Sequence, residues 1–186
     1  MKQKIVKITI LFYTFFSFVI FSCKVKDGAI ETYYKNGNKK IEGHIINNQK
    51  NGIWKYYSED GMLEFEINYK NGKKFGKYIH YCPNGQINDI YYYDSTENVT
   101  GISKNYFCDG QIRAISNYTN GVYDSTQLLF YKNGKIESIE HYDKGMKIGK
   151  WIFFNKEGDT LRIEKYENNS PIEVKIFPTA DSTNSR

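Results

Sequence analysis

Gly52-Ile53-Trp54-Lys55-Tyr56-Tyr57-Ser58-Glu59-Asp60-Gly61 decides the fold, because its spacing returns along the chain. Gly61 belongs to the series Gly37, Gly61, Gly85, Gly110, Gly134 and Gly158, with steps of 24, 24, 25, 24 and 24 residues. Gly52 belongs to a second series, Gly28, Gly52, Gly76, Gly101, Ser125 and Gly149. Five residues after each opening position stands an aromatic: Tyr33, Tyr57, Tyr81, Tyr106, Phe130 and Phe154. A period of this length means an array, in which each unit buries its apolar side by stacking on its neighbours.

The punctuation explains the period. Asn-Gly pairs begin at Asn36, Asn51, Asn71, Asn84, Asn120 and Asn133, and Asp-Gly pairs at Asp27, Asp60 and Asp109. Such pairs tolerate consecutive positive φ, as two-residue hairpin loops require. The runs between them are rich in Tyr, Phe, Ile and Trp, which suit pleated surfaces. The expected fold is all-β: an elongated single-layer antiparallel meander of six tandem β-hairpins, preceded by a signal-peptide helix. Twelve strands about 4.8 Å apart make an object roughly 55 Å long.

Equal register predicts ladders of rings, one through Tyr57, Tyr81, Tyr106 and Phe130, another through Tyr69, Tyr93, Tyr118 and Tyr142. Trp54 and Trp151 precede the ladder aromatic by three residues, on the opposite face by strict alternation. Either both faces are partly apolar or a bulge shifts the register of the first strand.

The start of the chain lies outside the repeat. Lys2, Lys4 and Lys7 head an apolar run of 14 residues, Ile8 to Phe21, too short to span a bilayer and suited to a signal peptide. Ile20-Phe21-Ser22-Cys23 resembles a bacterial lipobox, with Ile20 in place of the commoner leucine. That resemblance implies cleavage before Cys23 and its lipidation, with palmitate-type acyl chains anchoring the protein in the membrane. Two or more chains anchor stably. Lys24 follows the cysteine and Lys24-Val25-Lys26-Asp27 carries no acidic run, which favours a periplasm-facing outer-membrane position. The organisation is then signal peptide 1–22, lipidated linker 23–27, repeat array 28–171, capping strand 172–178 and tail 179–186. In the cap Ile172, Val174 and Ile176 alternate, and Pro178 removes a ladder donor.

Charge follows. The chain has 26 Lys+Arg and 21 Asp+Glu, and without the three leader lysines the count is 23 against 21. A nearly neutral mature protein lacks the electrostatic footprint of a nucleic-acid binder. Cys82 lies six residues after Gly76 and Cys108 seven after Gly101, so strand alternation aims the two thiols apart and no disulfide is expected.

The sequence offers no catalytic constellation. His44 and His141 share a register but stand four units apart, roughly 38 Å at two strands per unit, too far to share a metal. His80 has no second ligand nearby in sequence. No phosphate-binding glycine loop and no nucleophile elbow is present. No metal or cofactor is expected. The 17 tyrosines exceed what two ladders use. Tyr34, Tyr91, Tyr92, Tyr123 and Tyr131, with Trp54 and Trp151, form the candidate binding surface, since aromatics favour interfaces.

Gly-x-Trp-x-x-Tyr-x-x-x-Gly, read from Gly52 to Gly61 and, with Phe154 at the tyrosine position, from Gly149 to Gly158, resembles the MORN-repeat variant. It is similar to bacterial proteins labelled antitoxin-like, of the YwqK type. The resemblance covers Gly28 to Asn169. Ser103 and Gln127 depart from it at the tryptophan position, and Ser125 at the opening glycine. It implies an elongated sheet that binds other molecules and carries no catalytic residue. Two functions stand on this reading: a scaffold for a protein partner, antitoxin- or immunity-like, and a glycan or peptidoglycan binder using exposed aromatics.

Overall fold

The structure, a computed structural model, describes residues 27–178. The leader, Cys23 and the tail 179–186 lie outside them. The chain runs through β1 (Gly28–Tyr33), β2 (Lys39–Ile46), β3 (Gln49–Tyr57), β4 (Leu63–Lys70), β5 (Lys73–Tyr81), β6 (Ile87–Tyr93), β7 (Gly101–Tyr106) and β8 (Ile112–Thr119). It continues through β9 (Val122–Tyr123), β10 (Ser125–Phe130), β11 (Ile136–Asp143), β12 (Met146–Lys147), β13 (Gly149–Phe154), β14 (Thr160–Glu167) and β15 (Ser170–Ile176). All fifteen belong to one antiparallel sheet in sequence order, an open meander. Among the described residues there is no helix.

β9 pairs β8 and β12 pairs β11 off the main path. They are the leading pieces of β10 and β13, cut off at Asp124 and Ile148, whose amides still donate to Asn117 and His141. The ribbon thus has thirteen rungs: six hairpins and β15. At about 4.8 Å per rung it is on the order of 60 Å long.

Two kinds of turn line its two edges. At Asn47-Asn48, Asn71-Gly72, Asn120-Gly121, Lys144-Gly145 and Asn168-Asn169 both residues have positive φ, the two-residue loop expected for hairpins. At Asn36-Gly37 only Gly37 does, φ 88°, and the Gly37 amide donates to the Tyr34 carbonyl at 3.0 Å. This is a type I turn closed by a left-handed glycine, and it recurs at Gly61, Gly85, Gly110, Gly134 and Gly158. The expectation that Asn-Gly marks two-residue loops throughout is corrected accordingly. Here the asparagine serves through its side chain: Asn36 Oδ1 accepts from the Asn38 amide at 3.0 Å. Asn51-Gly52 is no turn at all, since Gly52 (φ 72°) bends β3 internally where the pairing with β2 slips.

A bulge also follows every ladder aromatic. Tyr57 pairs with Leu63 and Tyr56 with Phe65, leaving Glu64 as the extra residue. The same skip leaves Lys40, Asn88, Arg113, Glu137 and Leu161 unpaired in the other hairpins. The bulge lies in the second strand of each hairpin, so Trp54 and Tyr57 do take opposite faces. Both faces are partly apolar.

Candidate functional site

One face is aromatic. The Trp54 indole lies over Gly43, and pairing aligns Trp54, Ile67, Tyr78 and Tyr91 across successive rungs, then Ser103, Ser116, Gln127, Glu140, Trp151 and Glu164. Trp54 (4% exposed) and Trp151 (3%) are the buried anchors. The indole Nε1 of Trp54 donates to the His44 carbonyl at 3.2 Å, and that of Trp151 to the His141 carbonyl at 3.1 Å. A lysine ammonium lies 4.4 Å above each ring, Lys50 on Trp54 and Lys147 on Trp151. Lys74 repeats the arrangement over Tyr93 at 5.2 Å.

The expected ladders do not form as drawn. Among the described residues no two members of either series pair ring to ring. Like positions are two rungs apart, about 10 Å, too far for direct contact. Rings from neighbouring positions bridge the second series instead: Tyr78 meets Tyr93 at 6.2 Å, and Tyr123 lies 4.8 Å from Tyr118 and 5.1 Å from Tyr142. Trp151 then meets Tyr142 and Tyr166, each at 5.1 Å.

In the middle of this face the pattern breaks. Ser103 (1% exposed) and Gln127 (2%) occupy positions held elsewhere by Trp54, Tyr78 and Trp151. Gln127 Nε2 donates to the Asn117 carbonyl at 3.2 Å, the place of the indole N–H, while its Oε1 is buried without a partner. A hollow of about 460 Å³ opens there, with Tyr91, Tyr123, Tyr142, Arg113 and Glu137 among its lining. Glu140, also lining it, accepts from Ser138 Oγ at 3.0 Å and from the Tyr142 hydroxyl at 3.2 Å. Burial pushes the Tyr91 hydroxyl above its usual range, against the Asn105 hydrogen bond, which lowers it, and Tyr142 is raised chiefly by burial too, helped by Glu140. Both rings stay protonated at neutral pH.

The opposite face carries an aliphatic row that the sequence reading missed. Ile79, Ile90, Ile115, Leu128, Ile139, Ile152 and Ile163 fall in line across successive rungs, interrupted only by Lys104. Ile79 is buried and the rest are half-buried, shielded by one another. Among the described residues no second layer covers them. Lys77, Lys104, Lys150 and Lys165 stand on this face, all exposed, with exposed Ile53, Tyr92 and Ile102 beside them. Pairwise register was the signal: each aliphatic sits opposite another aliphatic, visible only once the bulges are placed.

The aromatics expected to form a binding surface are scattered. Tyr92 (41% exposed) and Tyr123 (39%) are open, on opposite faces. Tyr34 and Tyr131 sit in turns, where their hydroxyls donate to the carbonyls of Tyr57 (2.8 Å) and Phe154 (2.7 Å) in the next hairpin. Trp54 and Trp151 are buried and Tyr91 half-buried in the hollow. Cys23 lies outside the described residues.

The unpaired cysteines are corrected outright: Cys82 and Cys108 form a disulfide, with Cα atoms 5.7 Å apart. Both lie beyond their strands, in neighbouring turns of one edge, where strand alternation no longer governs direction. His80 packs on Phe65 (4.8 Å between rings), and its Nδ1 lies 2.9 Å from Asp89 Oδ2. Among the described residues no three His, Cys, Asp or Glu side chains gather as a metal site.

Comparison with known families agrees with the hairpin as the unit. Residues 26–47, 50–71 and 123–144 match the family described as MORN repeat variant. These segments correspond to the first, second and fifth hairpins. No curated protein matches the chain.

Proposed function

We propose that the protein is a non-enzymatic scaffold of the cell envelope, whose aliphatic row binds an acidic surface of a partner protein. The uncovered line from Ile79 to Ile163 carries this reading, because a single-layer sheet has no interior in which to hide it. Lys77, Lys104, Lys150 and Lys165 on the same face supply the matching charge. An open face about 60 Å long suits a macromolecule better than a small substrate. The array resembles antitoxin-like proteins, so a toxic protein neutralised by capture is one partner of this kind.

Lipidation of Cys23 would hold the ribbon at the membrane, in the outer membrane facing the periplasm. Palmitate labelling of the chain and of Cys23→Ala tests the anchor; label persisting in the variant removes it. For binding, the full chain is purified from envelope extracts beside a Leu128→Thr/Ile139→Thr variant, which puts strand-compatible threonine at both positions but breaks the apolar row. A stoichiometric protein recovered with the native chain and lost with the variant is expected. Recovery of none, or equal recovery with both, overturns the proposal.

A further inference from the structure

The hollow between Ser103 and Gln127 is a departure with a pattern of its own. Three changes coincide there and nowhere else along the described ribbon. Two ring positions become serine and glutamine. The lysine position occupied by Lys50, Lys74 and Lys147 becomes Tyr123. The cross-strand neighbour, Ile67 beside Trp54, becomes Ser116 beside Ser103. Ring volume is taken from the floor, and a ring is added at the rim.

Gln127 shows what kind of group fits. Its Nε2 reproduces the indole hydrogen bond to the strand before it, so the glutamine is held in place as Trp54 and Trp151 are. Its Oε1 has no counterpart on an indole and no partner here. A buried acceptor left unmatched is unfavourable, and a donor reaching it restores a missing hydrogen bond. Glu137 and Glu140 add acceptors, and Arg113 contributes donors. Two carboxylates against one guanidinium disfavour an anion. Tyr91, Tyr123 and Tyr142 add apolar ring surface and hydroxyls.

We propose that this hollow binds a neutral or amine-bearing carbohydrate ring, a sugar hydroxyl donating to Gln127 Oε1 while the tyrosines flank the ring's C–H faces. Hydroxyls radiating from a compact apolar body match an apolar pocket with a few convergent polar groups. The site lies on the face opposite the aliphatic row, so each can fail without the other.

A glycan array carrying neutral, amino-sugar and uronic-acid oligosaccharides is probed with the full chain in detergent. The best-retained oligosaccharide is then titrated against tryptophan fluorescence, which Trp151, 5.1 Å from Tyr142, is placed to report. Gln127→Trp fills the hollow with the residue that two other hairpins carry, and Tyr123→Lys restores their lysine. Neutral or amino-sugar glycans should be retained, each variant should weaken binding at least tenfold, and Leu128→Thr should leave it unchanged. Retention of no glycan overturns the proposal, as does a preference for uronic acids or affinity within twofold in both variants. Where Gln127→Trp fails to fold, Tyr123→Lys, altered at an exposed rim position, decides alone.

Discussion

The indole of Trp54 covers Gly43 on the neighbouring strand so closely that a Cβ there would lie 2.5 Å from Cε2 and 2.7 Å from Cγ. Gly43 therefore has a packing role; its φ does not call for glycine. Gly43→Ala forces the indole off its site and its hydrogen bond to His44. Overpacking of this kind costs about 1–3 kcal/mol. A lower denaturation midpoint, with Trp54 emission shifted toward that of exposed tryptophan, checks it.

Ser125 holds φ 68° where every other hairpin has glycine. An L side chain in the left-handed region costs roughly 1–2 kcal/mol. Ser125→Gly should recover about 1 kcal/mol, less the extra entropy glycine gives the unfolded chain. Gly52→Ala, at φ 72° with open space around it, should lose a similar amount. Chemical denaturation of both variants gives opposite signs if backbone conformation governs this position.

The Cys82–Cys108 disulfide joins the turns of the third and fourth hairpins across a sequence separation of 26. Closing a loop of that size in the unfolded chain stabilises by about 3 kcal/mol. Cys108→Ser, or reduction of the native chain, should lower the melting temperature by that equivalent. Mass spectrometry under non-reducing conditions should find the two cysteine peptides linked.

Alkaline pH should weaken the ribbon. Burial pushes Tyr69 and Tyr78 up to about 12 from an ordinary 10, and Tyr57 likewise, with Glu42 also raising it. A folded-state value above the unfolded one adds stability that is complete below pH 10. That stability disappears as pH rises through about 12. Tyrosinate absorbance should show these rings ionising together with loss of the β-sheet signal. Ionisation near pH 10 with the sheet intact would refute the assignment.

The edge carrying the type I turns is stitched in pairs. Asn36 and Asn133 donate through Nδ2 to the carbonyls of Glu59 and Lys156 one hairpin on, each at 2.8 Å, and Asn84 donates to Cys108 in the same way. Asp60 and Asp109 occupy that position in the second and fourth hairpins and have no donor. Asp60→Asn should strengthen its seam by roughly 0.5–1.5 kcal/mol, and Tyr131→Phe should weaken the fifth by as much. Amide exchange of the flanking turns measures both.

The array, its period and its meander order were legible in the sequence, because glycine at positive φ and ring-rich strands leave few alternatives. The faces were not. One unpaired residue after each ladder aromatic, such as Glu64 or Arg113, reverses which side chains align, and no residue type marks it. The disulfide was hidden for a related reason: Cys82 and Cys108 lie in turns, where parity along a strand carries no information. Ser103 and Gln127 were visible as exceptions, but the hollow also needs Tyr91 and Tyr142, which arrive from other rungs.

The alternation of Asn with Asp at one edge sets how this protein can change length. Hairpins one and two, three and four, five and six are each fastened by a side-chain donor or a covalent bridge. Between four and five there is the exposed Lys132–Asp109 ion pair at 3.3 Å. Along this edge the seams between the second and third and between the fourth and fifth hairpins are left to strand pairing and, in the latter, to that ion pair, so the ribbon divides into segments of about forty-eight residues, two hairpins each. Duplication or loss of such a segment preserves every fastening, whereas removal of a single hairpin leaves one half-clasp without its mate.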